Sequence, residues 1–168
     1  MLIAASKLQN VPLIGMESHS RLGTIKQCIF HPDTGQLLAF AINLNSVIPR
    51  VNYISFNDIV SFEQHAVVGD RECLFDLDDY TKVKNILSQK RPILGQKVLT
   101  RDQKYLGDVT DVMIEKTTGQ MVEFEVHHLF SKRIFRFNDI DQITTKGVVV
   151  KNDLEMVKSG VAVETNTA

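Results

Sequence analysis

Asp33-Thr34-Gly35 carries the letters of an aspartic-protease loop. That chemistry needs two carboxylates sharing one proton across a dyad. The related stretch Thr117-Thr118-Gly119 offers Thr117 where the partner aspartate belongs. A hairpin turn accounts for both stretches, with Gly35 and Gly119 supplying the positive φ that such turns use. His127-His128 is the best metal candidate, but adjacent strand residues point to opposite faces and cannot grip one ion. Glu123, Glu125 and His127 do share a face, one expected to be a solvated strand surface. Asp108 and Asp111 are replaced by Thr24 and Gln27 in the related stretch, so a paired acid and base is not conveyed by the pattern. Cys28 and Cys73 stand apart with no C-x-x-C, which argues against a disulfide framework or a zinc ribbon. No catalytic residue, metal ligand or cofactor site is assigned, and no enzyme activity is expected.

One basic stretch remains. Lys132-Arg133-Ile134-Phe135-Arg136-Phe137 interleaves cations with aromatic rings, as an RNA-binding surface would. A half-buried strand gives the same pattern, with Phe135 and Phe137 inside and Lys132, Arg133 and Arg136 outside. Lys90, Arg91, Lys97, Arg101 and Lys104 lie nearby in sequence and would extend a basic surface.

The elements that position these residues occur twice. Phe56-Asn57-Asp58-Ile59 returns as Phe137-Asn138-Asp139-Ile140. Pro12–Gly15 matches Pro92–Gly95, Leu22-Gly23 matches Leu106-Gly107, and Thr34-Gly35-Gln36 matches Thr118-Gly119-Gln120. Self-similarity at this spacing signals one structural unit used twice. Each unit reads as five short strands. The second, Thr24–Phe30 or Asp108–Ile114, breaks its alternation and predicts a β-bulge near Lys26 and Asp111.

The third strand alternates cleanly. Leu38, Phe40 and Ile42 are expected on the core face, and Leu37, Ala39 and Ala41 opposite. The second unit has Val122, Phe124 and Val126 against Met121, Glu123 and Glu125. A strand apolar on both faces needs cover from a helix, the other unit or a second subunit. Leu37, Ala39 and Ala41 are therefore one candidate interaction surface, and Lys132, Arg133 and Arg136 another. The Phe-Asn-Asp-Ile copies end the fourth strands, with Phe56 and Phe137 expected in the core and Asp58 and Asp139 capping the turn.

Helical spacing of Tyr80, Val83, Ile86 and Leu87 predicts a helix over 78–89, capped by Asp78 or Asp79. Residues 152–159 predict a short second helix, and 161–168 a flexible tail. The expected organisation is all-β: two small barrels at 1–75 and 91–160, joined by a helical linker at 76–90.

At 168 residues and a net charge of -1, with 19 basic and 20 acidic residues, there is no global pull toward nucleic acid or anionic membrane. Apolar content of 43% suits a soluble globular chain. The N-terminus lacks a signal-peptide pattern, no stretch is long enough to span a bilayer, and a cytoplasmic location is expected.

Gly95-x-x-Val98, a polar loop, Leu106-Gly107-Asp108-Val109-x-Asp111-Val112-x-Ile114, Thr118-Gly119, and a strand ending in Phe137-x-Asp139-Ile140 together resemble the PRC-barrel family. That family includes the cytoplasmic domain of the photosynthetic reaction centre H subunit and the C-terminal domain of a bacterial ribosome maturation factor. The first unit resembles it in more diverged form. The resemblance implies small β-barrels and a role in protein–protein contact, with no catalytic motif to carry over. The expected function is a non-enzymatic adaptor that docks on a protein, as a homodimer or with an unlike partner. The alternative is a ribosome- or RNA-associated factor using the basic surface of the second unit.

Overall fold

The computed structural model describes residues 1–151. The predicted helix at 152–159 and the tail at 161–168 lie outside the described residues. Among those described, no helix is long and apolar enough to cross a membrane.

The chain is mostly β. In the first half the strands are β1 (Leu2–Ala4), β2 (Pro12–Gly15), β3 (Arg21–Phe30), β4 (Leu37–Leu44), β5 (Val51–Ser55), β6 (Ile59–Phe62) and β7 (Ala66–Val68). The second half adds β8 (Lys97–Thr100), β9 (Tyr105–Glu115), β10 (Met121–His128), β11 (Ser131–Arg136), β12 (Ile140–Thr144) and β13 (Gly147–Val150). Among the described residues two α-helices complete it, α1 (Ala5–Leu8) and α2 (Thr81–Ser88).

The strands form two sheets with one connectivity. The first runs β5-β4-β3-β2-β7-β6 and the second β11-β10-β9-β8-β13-β12. In both, one parallel pair, β2 with β7 and β8 with β13, joins two antiparallel hairpin runs. Each sheet is an open path of strands, and one of the two is curled into a half-barrel. In each, the end strands, β5 and β6 or β11 and β12, do not pair, and a 3-10 turn made of Phe-Asn-Asp spans the open seam.

The predicted bulge falls at Lys26, the extra residue between Ile25↔Ile42 and Gln27↔Ala41. Its counterpart is Thr110, next to Asp111. A second pair of bulges corrects the expected facing of the third strands. Ile29 pairs with Ala39 and Phe30 with Leu37, so Leu38 is the extra residue, and Val122 is its equivalent. The bulge turns Leu37 and Met121 into the core, while Leu38 joins Ala39 and Ala41 on the outer face.

The two halves share one core. Phe40, Ile42, Ile54 and Leu13 of the first sheet and Phe124, Val126, Val112 and Val98 of the second are all fully buried in one cluster. The boundary expected at residue 75 is also crossed at the N-terminus. β1 leaves the first half and pairs with Met113–Glu115 of β9. Ser6 at the start of α1 donates its backbone N–H (3.1 Å) and its hydroxyl to the Asp111 carboxylate.

The linker helix is shorter than predicted. Asp78 and Asp79 are used in a 3-10 turn, Leu77–Asp79, so α2 begins at Thr81 with Tyr80 as its N-cap residue and no side-chain cap. Asp78 instead meets Lys84 at 2.6 Å.

Candidate docking surface

The repeated turns meet each other. Gln36 and Gln120 form an antiparallel bridge between the two halves. Leu37 donates its N–H to the Gly119 carbonyl at 2.9 Å, and Met121 donates to Gly35 at 2.9 Å. The side-chain amides repeat the exchange: Gln36 to the Thr118 carbonyl at 2.7 Å, Gln120 to the Thr34 carbonyl at 2.8 Å. Gly35 (φ 68°) and Gly119 (φ 72°) serve the turns as expected and also make room for rings. A Cβ on Gly35 would stand 2.7 Å from the Phe137 ring, and one on Gly119 would stand 2.9 Å from the Phe56 ring. Each Phe-Asn-Asp turn therefore packs on the hairpin turn of the opposite half.

This sharpens the sequence expectation for that motif. Phe56 and Phe137 are half-buried against the other half, beside their own core. Asp139 caps its turn, accepting from the Arg136 N–H at 2.8 Å. Asp58 is exposed, and in its half Ser55 accepts from the Asn57 N–H at 3.3 Å.

The residues considered for chemistry are held by structural partners. Asp33 receives two guanidinium hydrogen bonds from Arg91, at 2.7 and 3.0 Å, which hold its carboxyl below the usual range. Asp108 accepts from the Tyr105 hydroxyl at 2.8 Å, which raises the pKa of that phenol. Cys28 lines a cavity of about 410 Å³ with Ile29, Ile86, Leu87 and Ile93. Burial, and secondarily the Asp111 charge, pushes its thiol up to about 12, so no thiolate nucleophile is present there at neutral pH. Both cysteines are free. Among the described residues, no three His, Cys, Asp or Glu side chains converge to hold a metal ion.

Several of the basic residues are matched by carboxylates or carbonyls. Lys132 meets Glu125 at 2.6 Å, Arg101 meets Asp141 at 2.6 Å, and Arg91 is the partner of Asp33. Arg133 turns back to the Leu106 carbonyl at 3.3 Å. Arg136 is exposed, opposite Glu123 in the sheet register. Phe135 is buried against Phe124 with stacked rings, so it is not available to a base.

The other candidate surface is inside. Leu37 is 2% exposed and lies in the shared core. Ala39 and Ala41 are covered by α2, whose Val83 is fully buried on them together with Tyr53, Phe75 and Tyr80. The chain's own helix supplies the cover expected for this strand, and the case for a dimer through Leu37, Ala39 and Ala41 loses its support.

What is open was not singled out from the sequence. The β10–β11 hairpin ends in Leu129-Phe130, 85% and 106% exposed. His128 pairs with Ser131, so these two residues are the whole turn. Leu129 takes φ 53°, a conformation that two-residue turns reserve for Gly, Asn or Asp. The matching hairpin of the first half presents Val47 and Ile48, 102% and 66% exposed, in a longer loop. Ile134, midway along β11, is 50% exposed.

Residues 88–157 match the family model of the PRC-barrel domain. The second half of this chain is similar to a PRC-barrel domain. That match covers β8–β13. No curated protein matches the sequence. The signal that would have found the hairpin tip is the two apolar residues between His128 and Ser131, where a two-residue turn calls for Asn-Gly or Gly-Ser.

Proposed function

We propose that this chain is a non-enzymatic protein-docking module that presents the outer side of its PRC-barrel sheet to a protein partner. The observation that carries this is Leu129-Phe130. Two large apolar side chains stand almost wholly in water, on a turn whose backbone disfavours one of them. Such a pair costs solubility and local strain, and residues of that kind are retained where they insert into a partner. Lys132 follows the tip on β11, with Arg136 at the far end of the same strand, and would form part of the polar rim. The first half acts as a brace, its own strand face sealed by α2. The RNA-associated reading draws little support from the surface, because three of its cations are already matched by carboxylates.

The test is cross-linking capture with the intact chain and with a Leu129→Ser, Phe130→Ser double variant. The variant should keep the wild-type circular dichroism and melting behaviour and lose the specific partners. Identical capture by both proteins, or capture of RNA that falls steeply with salt, would remove this reading.

A further inference from the structure

The first half shows what covers a sheet of this kind. Residues 71–88 follow the last strand of that sheet and fold back over it. Phe75 pairs with the edge strand β5: Tyr53 donates to the Phe75 carbonyl and Phe75 donates to the Tyr53 carbonyl, both at 2.9 Å. Their rings stack at 6.0 Å, and Tyr80 meets Phe75 edge-on at 4.6 Å. A 3-10 turn follows, and then α2 lays Val83 on Ala39 and Ala41. One edge and one face are closed by a single short segment, an extended apolar residue followed by an amphipathic helix.

The second half repeats the sheet and leaves that place open among the described residues. Ala41 pairs with Tyr53, and Glu125 pairs with Ile134 in the same position. Ile134 is therefore the equivalent of Tyr53. The matched register turns its N–H and C=O outward, as Tyr53 turns its own toward Phe75. β11 ends its sheet with no strand beyond it among the described residues. Ala39 and Ala41 are replaced by Glu123 and Glu125, which lie half-buried with Val122 and Met113.

Resting on the docking reading above, we infer that this edge and face take a partner segment of the same build as residues 74–88. That segment is an extended apolar residue pairing with Ile134, followed by an amphipathic helix with a cation over Glu123 and Glu125. Three observations select it. The chain itself displays the strand-then-helix solution on an equivalent sheet. The outward backbone groups of Ile134 form main-chain bonds only with an extended strand. The carboxylates that replace the alanines reject a second apolar helix and favour a basic one. Lys132 already meets Glu125, so the incoming cation joins or displaces it while Glu123 lies beside it.

The probe is a synthetic peptide of residues 74–90 carrying Val83→Lys, added to the intact chain. The lysine disfavours the first half, where that position is buried on Ala39 and Ala41. Added peptide should slow hydrogen exchange at the Ile134 amide and leave the Tyr53 amide unchanged. The unsubstituted peptide should bind about tenfold more weakly, and Glu125→Lys should weaken the substituted peptide by a similar factor. Ile134→Pro removes the outward N–H from an edge strand, where proline is tolerated, and Ile134→Lys serves as the milder variant. The Ile134→Pro chain should no longer bind the peptide. Absence of protection at Ile134, or binding indifferent to Glu125→Lys, overturns the inference. If partners are still lost with the Leu129 and Phe130 double variant, docking itself stands and only this occupant is wrong. If the Ile134 amide is already protected in the intact chain and opens when the chain is ended at Lys151, the chain's own 152–168 segment fills the place and the inference falls.

Discussion

Ala39 and Ala41 in one sheet, and Glu123 and Glu125 in the other, occupy the same positions of the same strand. The alanines lie under α2 and are at most 5% exposed, while the glutamates are half-buried and, among the described residues, lie outside the cluster that α2 covers. The edges differ in the same sense. Tyr53 exchanges two backbone hydrogen bonds with Phe75, and its equivalent Ile134 stands half exposed on a strand with no neighbour beyond it among the described residues. The lesson is that a repeated fold need not repeat its surface. One half has used its outer side to stabilise the molecule, and the other, which matches the PRC-barrel model, has no such cover from α2 among the described residues.

The comparison holds only outside the core, and that limit can be broken directly. Phe40 and Phe124 are both fully buried in one cluster that crosses the halves. Truncating either to alanine should cost about 3–5 kcal/mol. Because the core is shared, each variant should unfold in a single transition seen equally by probes in both halves. Two separate transitions in denaturant, one shifted and one not, would show that the halves are independent bodies.

The turn exchange gives the next effect in size. Gly35→Ala and Gly119→Ala each place a Cβ against a ring of the opposite half at a left-handed φ. Each should cost about 1–3 kcal/mol. Gly95 also has a positive φ of 76° but meets nothing within 4 Å, so Gly95→Ala should show the backbone part alone. Replacing Phe56 with leucine should recover part of the Gly119→Ala loss and none of the Gly35→Ala loss. Equal recovery in both would mean that the rings do not serve the opposite turns.

Much of this architecture was legible from residue order. The strand pattern, the hairpin turns, the bulge at Lys26 and the helix through Val83 follow from alternation, Gly placement and helical spacing. The bulge at Leu38 was not, because Leu37, Leu38 and Ala39 are all apolar and a slip of one residue leaves the pattern unchanged. Nor could the partner of Phe56 be read from the sequence. A ring next to a turn glycine looks the same whether that glycine belongs to its own half or to the other. The surface was the least legible part. Leu37, Ala39 and Ala41 drew notice for lacking a polar face, and α2 proved to be the cover. Leu129 and Phe130 drew none, because two apolar residues beside a strand look like more of the strand.

A smaller effect separates exposure from stability. Leu129→Asn suits φ 53° and removes an exposed apolar side chain. It should raise stability by about 0.5–1 kcal/mol, measured as a shift in the urea midpoint at constant slope, while weakening partner capture. A loss of stability instead would place Leu129 among the packed residues of the second half and remove the strain from the case for docking.

The smallest effect lies at the turn between β9 and β10. Glu115 accepts the N–H groups of Thr118 at 2.7 Å and Thr117 at 2.9 Å, and its other oxygen meets the N-terminal ammonium of Met1 at 3.1 Å. The Thr118 hydrogen bond is the largest cause, with the ammonium next, and together they lower its pKa to about 2. In the first half the same place is held by His31, which accepts the Asp33 N–H at 3.2 Å. A carboxylate whose folded pKa is depressed contributes stability that is present in full above its unfolded pKa. That contribution is lost as the pH falls through the folded value. Glu115→Gln should therefore lower the melting temperature slightly at pH 7, and the gap to wild type should narrow between pH 4.5 and pH 2 and close below that. A gap for Glu115→Gln that stays constant through pH 2 would mean that the turn is held by packing of Gly119 on Phe56, leaving the carboxylate without a part in it.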